Sequence, residues 1–307
     1  MKLPQLRYLT EIVNQGLSIS QTAIALHTSQ SGVSRQIQLL EQELALQIFQ
    51  RNGKRLTGLT APGEIIVEQA RKVLLALDDL KRAGEELSHQ DRGTLIIATT
   101  HTQARYFLPV PVKQFTTTWP NVALSIHQSN PTQVADQVAR GEADLGIASE
   151  AIAQNPALLC LPCYEWNRCI ILPKRHPLLK AGPLTLKKLA DFPLITYDFA
   201  FTGGSLVSQV FADKGLTPNI VLTAIDADVI KTYVKLGLGI GLVATMAYDA
   251  KADSELAMID ASHLFPPSTT YLGLRRDSFM REYFYDFIHL LVPGLSRKAL
   301  HKALFDA

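Results

Sequence analysis

Small hydroxyl and amide side chains gather at three short segments, Thr99-Thr100-His101-Thr102-Gln103, Ser149-Glu150 and Phe201-Thr202-Gly203-Gly204-Ser205. The first two follow apolar runs that read as buried strands, and the third lies at the matching place in a second set of alternating strands and helices. Thr100, Thr102 and Gln103 offer neutral hydrogen-bond donors, and the N–H groups of a helix start beside them favour an anion. Open parallel sheets bind ligands at this end of their strands. Gly203 and Gly204 let the backbone approach a ligand closely. Taken singly, each Thr or Ser is more readily a helix N-cap. Placed together around one cleft, they make a site for a small polar anion held by hydrogen bonds and dipoles.

A second set of residues suits nucleic acid. Gln30, Ser31, Ser34, Arg35 and Gln38 share the polar face of a helical pattern, with no carboxylate among them until Glu41. Their side chains are short enough or forked enough to read base edges or bind phosphate. Arg51, Lys54 and Arg55 cluster about the turn signal Asn52-Gly53, which separates two extended runs. A basic hairpin directly after such a helix is a wing, placed where adjacent phosphates or the minor groove would lie. The bland alternative is an ordinary helical hairpin with a solvated polar face.

Other candidate chemistry is weaker. Cys160, Cys163 and Cys169 are the only cysteines, an odd number that argues against a disulfide framework. Cys160 and Cys163 form one C-x-x-C, yet no second pair follows and His176 is poorly spaced for zinc, so buried structural thiols are expected. Gly237-Leu238-Gly239-Ile240-Gly241 precedes a strand and lacks dinucleotide-loop spacing, so it reads as a tight helix-to-strand turn. Asp226 and Asp228 read as capping residues. There is no G-x-S-x-G elbow and no H-E-x-x-H helix. No catalytic group, metal or cofactor is expected.

The elements that must position these residues follow from periodicity. Ser20 to Leu26 makes a short helix with Ser18 or Ser20 as cap. Val33, Ile37, Leu40 and Leu44 form the inward stripe of a second helix after a break at His27-Thr28-Ser29. Thr60-Ala61-Pro62-Gly63 starts a long helix whose stripe is Ile66, Ala70, Val73, Leu74, Leu77, Leu80 and Leu87. Such a stripe is most simply buried against the same helix of a second chain, the alternative being its own domain. A polar stretch, 88–93, reads as a hinge. Beyond it, strands at 94–99, 123–128 and 143–148 alternate with helices at 109–118 and 132–140, implying a parallel sheet. Strands at 169–172, 194–196, 220–223 and 240–243, with helices at 205–214 and 228–235, form a similar unit. A strand at 270–274 and a helix at 279–291 can return to the first. Two such lobes enclose a cleft where small ligands bind.

With 307 residues and a formal net charge of +2, the chain has room for several domains and no global basicity, so any DNA contact must be local. No apolar run approaches the roughly 18 residues of a membrane span, and the first 30 residues lack a signal-peptide core. A cytoplasmic protein without membrane partners is expected.

Over nearly the whole length the residues resemble the LysR-type transcriptional regulators. TSQSGVSRQIQLLEQELALQIFQR followed by LTGLTAPG is similar to the general family pattern. ATTHTQARYFLP at 98–109, QSNPTQVAD at 128–136, CYEWNR at 163–168, FTG at 201–203 and DADVIKTYVKLGLGIGL at 226–242 resemble the CysB and Cbl subgroup. The resemblance implies a homodimer or homotetramer on double-stranded promoter DNA, controlling sulfur assimilation and cysteine biosynthesis. It implies a small anionic effector: N-acetylserine or O-acetylserine, with sulfate or thiosulfate as opposing ligands. Carried over by position, the effector residues are Thr100, Thr102, Gln103 and Thr202, with Glu150, Trp166 and Arg168 nearby. Ser149 stands where the CysB pattern has threonine and matches the Cbl pattern, which leaves open a regulator of sulfonate or organosulfur use.

The fold expected is α/β: a winged helix-turn-helix at 1–60, a linker helix and hinge at 61–92, and a two-lobed effector domain at 93–307 resembling periplasmic binding proteins. Lobe I comprises 93–164 and 268–307, and lobe II 165–267. The two-lobed part alone would also suit a solute-binding receptor. An enzyme acting on an acetylated amino acid is disfavoured by the missing nucleophile and base.

Overall fold

The computed structural model describes residues 1–53, 55–88, 91–198, 206–276 and 278–305. Two compact units divide the chain, Met1–His89 and Gln90–Ala307.

In the first unit, α1 (Leu3–Asn14), α2 (Ile19–Ala25) and α3 (Gln30–Leu44) precede a hairpin of β1 (Phe49–Asn52) and β2 (Arg55–Leu59) and the long α4 (Ala61–Ser88). Leu6, Leu9 and Ile12 of α1 bury the three-and-three spacing of one helix face. Ser18 caps α2 by accepting Gln21 N–H at 3.2 Å, and Ser29 caps α3 by accepting Gly32 N–H at 3.0 Å. Val33, Ile37 and Leu40 lie in the core against Leu9, Ala23 and Phe49. Each such burial contributes roughly 1.5–3 kcal/mol. α3 ends on Ala45 in the left-handed conformation at φ 52°.

Two expectations change here. Asn52 pairs with Arg55 in the ladder, so it is the last residue of β1 and not the centre of the turn; Gly53, at φ +61°, begins the loop. The α4 stripe is divided. Of the expected stripe, Ala70 is buried and Ile66 and Leu74 half-buried in the core of their own unit, with Val67 buried beside them, whereas Val73 and Leu80 are exposed, as is Ile65 off the stripe. The first turns of α4 therefore pack one face on α1, and uncovered apolar surface runs from Ile65 through Val73 to Leu80. Gly63 is required by space: a Cβ there would collide with the backbone carbonyl of Ile48.

The second unit holds two five-stranded sheets. One contains β3 (Gly93–Thr99), β4 (Val122–Gln128), β5 (Leu145–Ser149), β6 (Leu158–Trp166) and β12 (Ser268–Arg275), in the order β4-β3-β5-β12-β6. The other contains β7 (Arg168–Pro173), β8 (Leu194–Tyr197), β9 (Ile220–Ala224), β10 (Ile240–Ala244) and β11 (Leu256–Asp260), in the order β11-β7-β10-β8-β9. β3 pairs in parallel with β4 and β5, and β8 in parallel with β9 and β10. The sheets are mixed and not wholly parallel as expected: β12 runs antiparallel between β5 and β6, and β7 antiparallel between β10 and β11. Only Asn167 separates β6 from β7, so one crossing between sheets is almost immediate.

The helices α5 (Pro109–Thr118), α6 (Pro131–Ala139), α7 (Leu186–Ala190), α8 (Leu206–Ala212), α9 (Ala227–Lys235), α10 (Glu282–Leu291) and α11 (Arg297–Phe305) complete the unit. Phe115, Tyr283 and Phe287 pack edge-to-face in the core of the first sheet. Residues Gln103–Phe107, directly before α5, form a π-helical segment.

Candidate nucleic-acid interface and effector pocket

In the first unit Gln30, Ser31, Arg35 and Gln38 are exposed and Ser34 half-buried, because the opposite face of α3 is held inward by Val33, Ile37 and Leu40. Gln30, Ser31 and Ser34 line a groove of about 470 Å³ together with Ser18 and Ser20 before and within α2 and Arg55 from β2. Thus the start of α3 and the basic hairpin residue Arg55 border one concave, donor-rich surface. Arg35 and Gln38 stand outside that groove on the same helix. Lys54 lies outside the described residues. Arg51 differs from Arg55: its guanidinium donates to Glu41 Oε2 at 2.8 Å. Glu41 Oε1 in turn accepts Ile48 N–H at 2.9 Å and Phe49 N–H at 3.3 Å. Part of the wing's charge is neutralised within the unit.

In the second unit the strand ends meet at a small cavity of about 20 Å³, lined by Thr100, Thr102, Gln103, Ser149, Trp166, Tyr197 and Ala244. That volume holds roughly one water molecule. Thr100, Thr102 and Gln103 come from the end of β3, Ser149 from β5 and Trp166 from β6. Sequence reasoning did not single out Tyr197 or Ala244, the last residues of β8 and β10. Their signal was position: both close apolar strands of the second lobe, as Thr99 and Ser149 close strands of the first. Thr99 points elsewhere, donating to Ile147 O at 2.8 Å, and Thr196 repeats this with Leu242 O at 2.9 Å.

The pocket's donors are neutral. Thr102 and Tyr197 join their hydroxyls across the lobes at 3.4 Å, and Ala244 N–H reaches the Tyr197 oxygen at 3.5 Å. Gln103 donates to Thr270 Oγ1 at 3.1 Å and accepts from the Tyr164 hydroxyl, so its amide is fixed by β12 and β6. Burial pushes the phenols of Tyr164 and Tyr197 up to about 12, so both remain protonated donors at neutral pH. Ser149 precedes the turn Glu150–Gln154 without capping it through its side chain. The indole Nε1 of Trp166 is buried and has no hydrogen-bond partner among the described residues.

Glu150 and Arg168 flank the cavity without lining it. Glu150 Oε1 accepts Thr269 N–H at 2.8 Å. Arg168 lies 4.9 Å over the Trp166 ring and donates to Ser268 Oγ at 2.7 Å and Pro266 O at 3.3 Å. Burial lowers its pKa, opposed by the charge of Glu150. Thr202 lies outside the described residues. All three cysteines are free thiols. Asp226 caps α9 by accepting Val229 N–H at 2.7 Å. No group of three or more His, Cys, Asp or Glu residues suited to a metal ion occurs among the described residues. Nor is any described helix long and apolar enough to cross a membrane.

Comparison with known proteins agrees with both halves. Residues 3–64 match the family model described as bacterial regulatory helix-turn-helix protein, lysR family, and residues 88–296 match the LysR substrate binding domain. The chain belongs to the LysR family of transcriptional regulators, which are DNA-binding proteins and not enzymes. It is 48% identical over 307 residues to the transcriptional regulator SsuR of Burkholderia cenocepacia, covering 100% of each chain. To CysB of Haemophilus influenzae it is 47% identical, over 99% of this chain and 94% of that one. The crystal structure of the cofactor-binding domain of the Cbl regulator superposes with a TM-score of 0.67 at 44% identity, covering 70% of this chain and 95% of that one. The CysB and Cbl subgroup is therefore closely matched.

Proposed function

We propose that the protein controls genes of sulfur assimilation and cysteine biosynthesis through a small anionic sulfur-pathway effector bound at the Thr100, Thr102, Gln103 and Ser149 cavity. The observation that carries this reading is the buried Trp166 N–H without an acceptor, set in a wall of neutral donors. A buried donor left unsatisfied costs about 1–3 kcal/mol, which an oxyanion acceptor would recover. Among the described residues no carboxylate lines the cavity to repel a negative ligand.

The effector class is that implied by the family resemblance: O-acetylserine or N-acetylserine, sulfate or thiosulfate. At about 20 Å³ the cavity must widen to admit any of them. A ligand that binds only the wider form shifts the lobe equilibrium by its differential affinity, and that shift is the switch. In this reading residues 1–60 contact DNA through Gln30, Ser31, Ser34, Arg35, Gln38, Arg51, Lys54 and Arg55. Residues 61–92 pair two copies, and 93–307 bind effector with Thr202, Glu150, Trp166 and Arg168 contributing.

The test is footprinting on the protein's own upstream region with each effector added in turn. A protected pattern that changes with one of them, and no longer changes after Thr100→Ala while basal protection persists, supports the reading. Absence of sequence preference over random DNA at moderate salt overturns it. Ser149 favours one variant of this function, a Cbl-like regulator of sulfonate or organosulfur use; the effector that shifts the footprint separates the two.

A further inference from the structure

The short segment that brings Thr100, Thr102 and Gln103 to the cavity also carries His101, Arg105 and Tyr106, and these converge on one carboxylate of the second lobe. Arg105 Nε donates to Asp228 Oδ2 at 2.9 Å, the Tyr106 hydroxyl donates to Oδ1 at 3.0 Å, and His101 Nε2 lies 3.8 Å from Oδ2. Lys231, one turn further along α9, stands behind them. Its Nζ is 3.9 Å from Asp228, donates to the Tyr106 oxygen at 3.2 Å and sits 5.4 Å over the Tyr106 ring. Lys231 is 6% exposed and pairs at 2.7 Å with Asp253, itself 4% exposed. None of these residues lines the effector cavity.

Two further facts make the arrangement more than a surface ion pair. Residues 103–107 are π-helical, a conformation that is rare and needs support from its surroundings. Asp228 sits in the first turn of α9, where it complements the helix dipole, while Asp226 does the capping. The carboxylate of Asp228 is thus left to face the π-helical segment.

We propose that Asp228 is the positioning residue of the effector pocket: by gripping Arg105 and Tyr106 it fixes the π-helical segment against the second lobe, so that Thr100, Thr102 and Gln103 face the cleft before any ligand arrives. This rests on the reading of that cavity as the effector site. Charge-assisted hydrogen bonds to Asp228 supply the grip. Lys231 keeps Asp253 when Asp228 is replaced, so no buried charge is stranded and the fold survives.

The experiment combines hydrogen exchange and sulfate titration on the full chain and its Asp228→Asn, Asp228→Ala and Asp228→Glu variants. In the Asn and Ala variants, amides of 101–107 should exchange about fivefold faster while those of β5 and β10 keep their rates. The sulfate dissociation constant should rise about tenfold with little change in Tm, and the Glu variant should recover part of both. Unchanged exchange at 101–107, or uniformly faster exchange through both lobes, overturns the proposal. If the unaltered chain binds neither sulfate, O-acetylserine nor N-acetylserine, the effector reading fails. Selective loosening of 101–107 in the Ala variant then still establishes the anchor.

Discussion

Glu41 and Arg51 form an ion pair of 2.8 Å between α3 and the β1–β2 hairpin. The same carboxylate accepts two backbone N–H groups at the start of β1, so it fixes the wing's root as well as one of its cations. Glu41→Ala leaves both N–H groups without their acceptor and should destabilise the first unit by about 1–3 kcal/mol, measured by urea unfolding. Arg55 has a different task. Arg55→Ala should reduce the slope of log affinity against log salt by about 1, and Arg51→Ala by less, since Arg51 is already neutralised. Equal slopes for the two variants would refute this division of labour.

The divided stripe of α4 predicts two separable defects. Val67 is 2% exposed, and Val67→Ala should cost roughly 2 kcal/mol of stability without altering the state of association. Leu80 is 69% exposed, and Leu80→Glu should weaken self-association while leaving the unfolding midpoint close to that of the unaltered chain. Analytical ultracentrifugation over a concentration series distinguishes them. A Leu80→Glu chain that associates as before would remove this face from the interface.

Trp166→Phe tests the buried indole donor. Phenylalanine keeps an aromatic ring beneath Arg168 but deletes the N–H together with the second ring of the indole. Effector affinity measured by calorimetry should fall about tenfold, near 1.4 kcal/mol, with the fold intact. An unchanged affinity would show that the ligand takes no hydrogen bond from this group.

Alkaline pH should weaken the second unit. Burial raises the thiols of Cys163 and Cys169 from 9.0 to about 12 and the phenols of Tyr164 and Tyr197 from 10.0 to about 12. Between those limits the unfolded chain gives up protons that the folded chain retains, so stability is complete below about pH 9 and declines toward pH 12. Urea midpoints at a series of pH values should fall across that window. The native thiols should also resist alkylation at pH 8 and react once the chain is unfolded. A midpoint that rises with pH would contradict the sign.

How much of this was legible beforehand depended on whether a signal was local. Ser29 before Val33, Ile37 and Leu40 marks a capped helix with one inward face, and that arrangement is found. Thr100, Thr102, Gln103, Ser149 and Trp166 meet in one cavity, but only the first four could be placed by strand ends; Trp166 came through family resemblance. Tyr197 was missed because its role arises from the other lobe, through Thr102, 95 residues away in sequence. Asp228 looked like a cap because its real partners, Arg105 and Tyr106, are distant along the chain. The strand Leu158–Trp166 is not legible from alternation, because Pro162 interrupts it. The helix Leu3–Asn14 carries a clear apolar face, Leu6, Leu9 and Ile12, that was legible but left unassigned.

β12 lies inside the first sheet, between β5 and β6, although it is the last strand in sequence among the described residues. During synthesis the nascent chain therefore presents every strand of the second sheet, through Asp260, before the first sheet can close around Ser268–Arg275. The lobe that begins earlier on the ribosome finishes later. A truncation that removes residues beyond 267 should spare the second sheet and leave β5 and β6 with facing, unpaired edges, the form of partly made protein most open to aggregation.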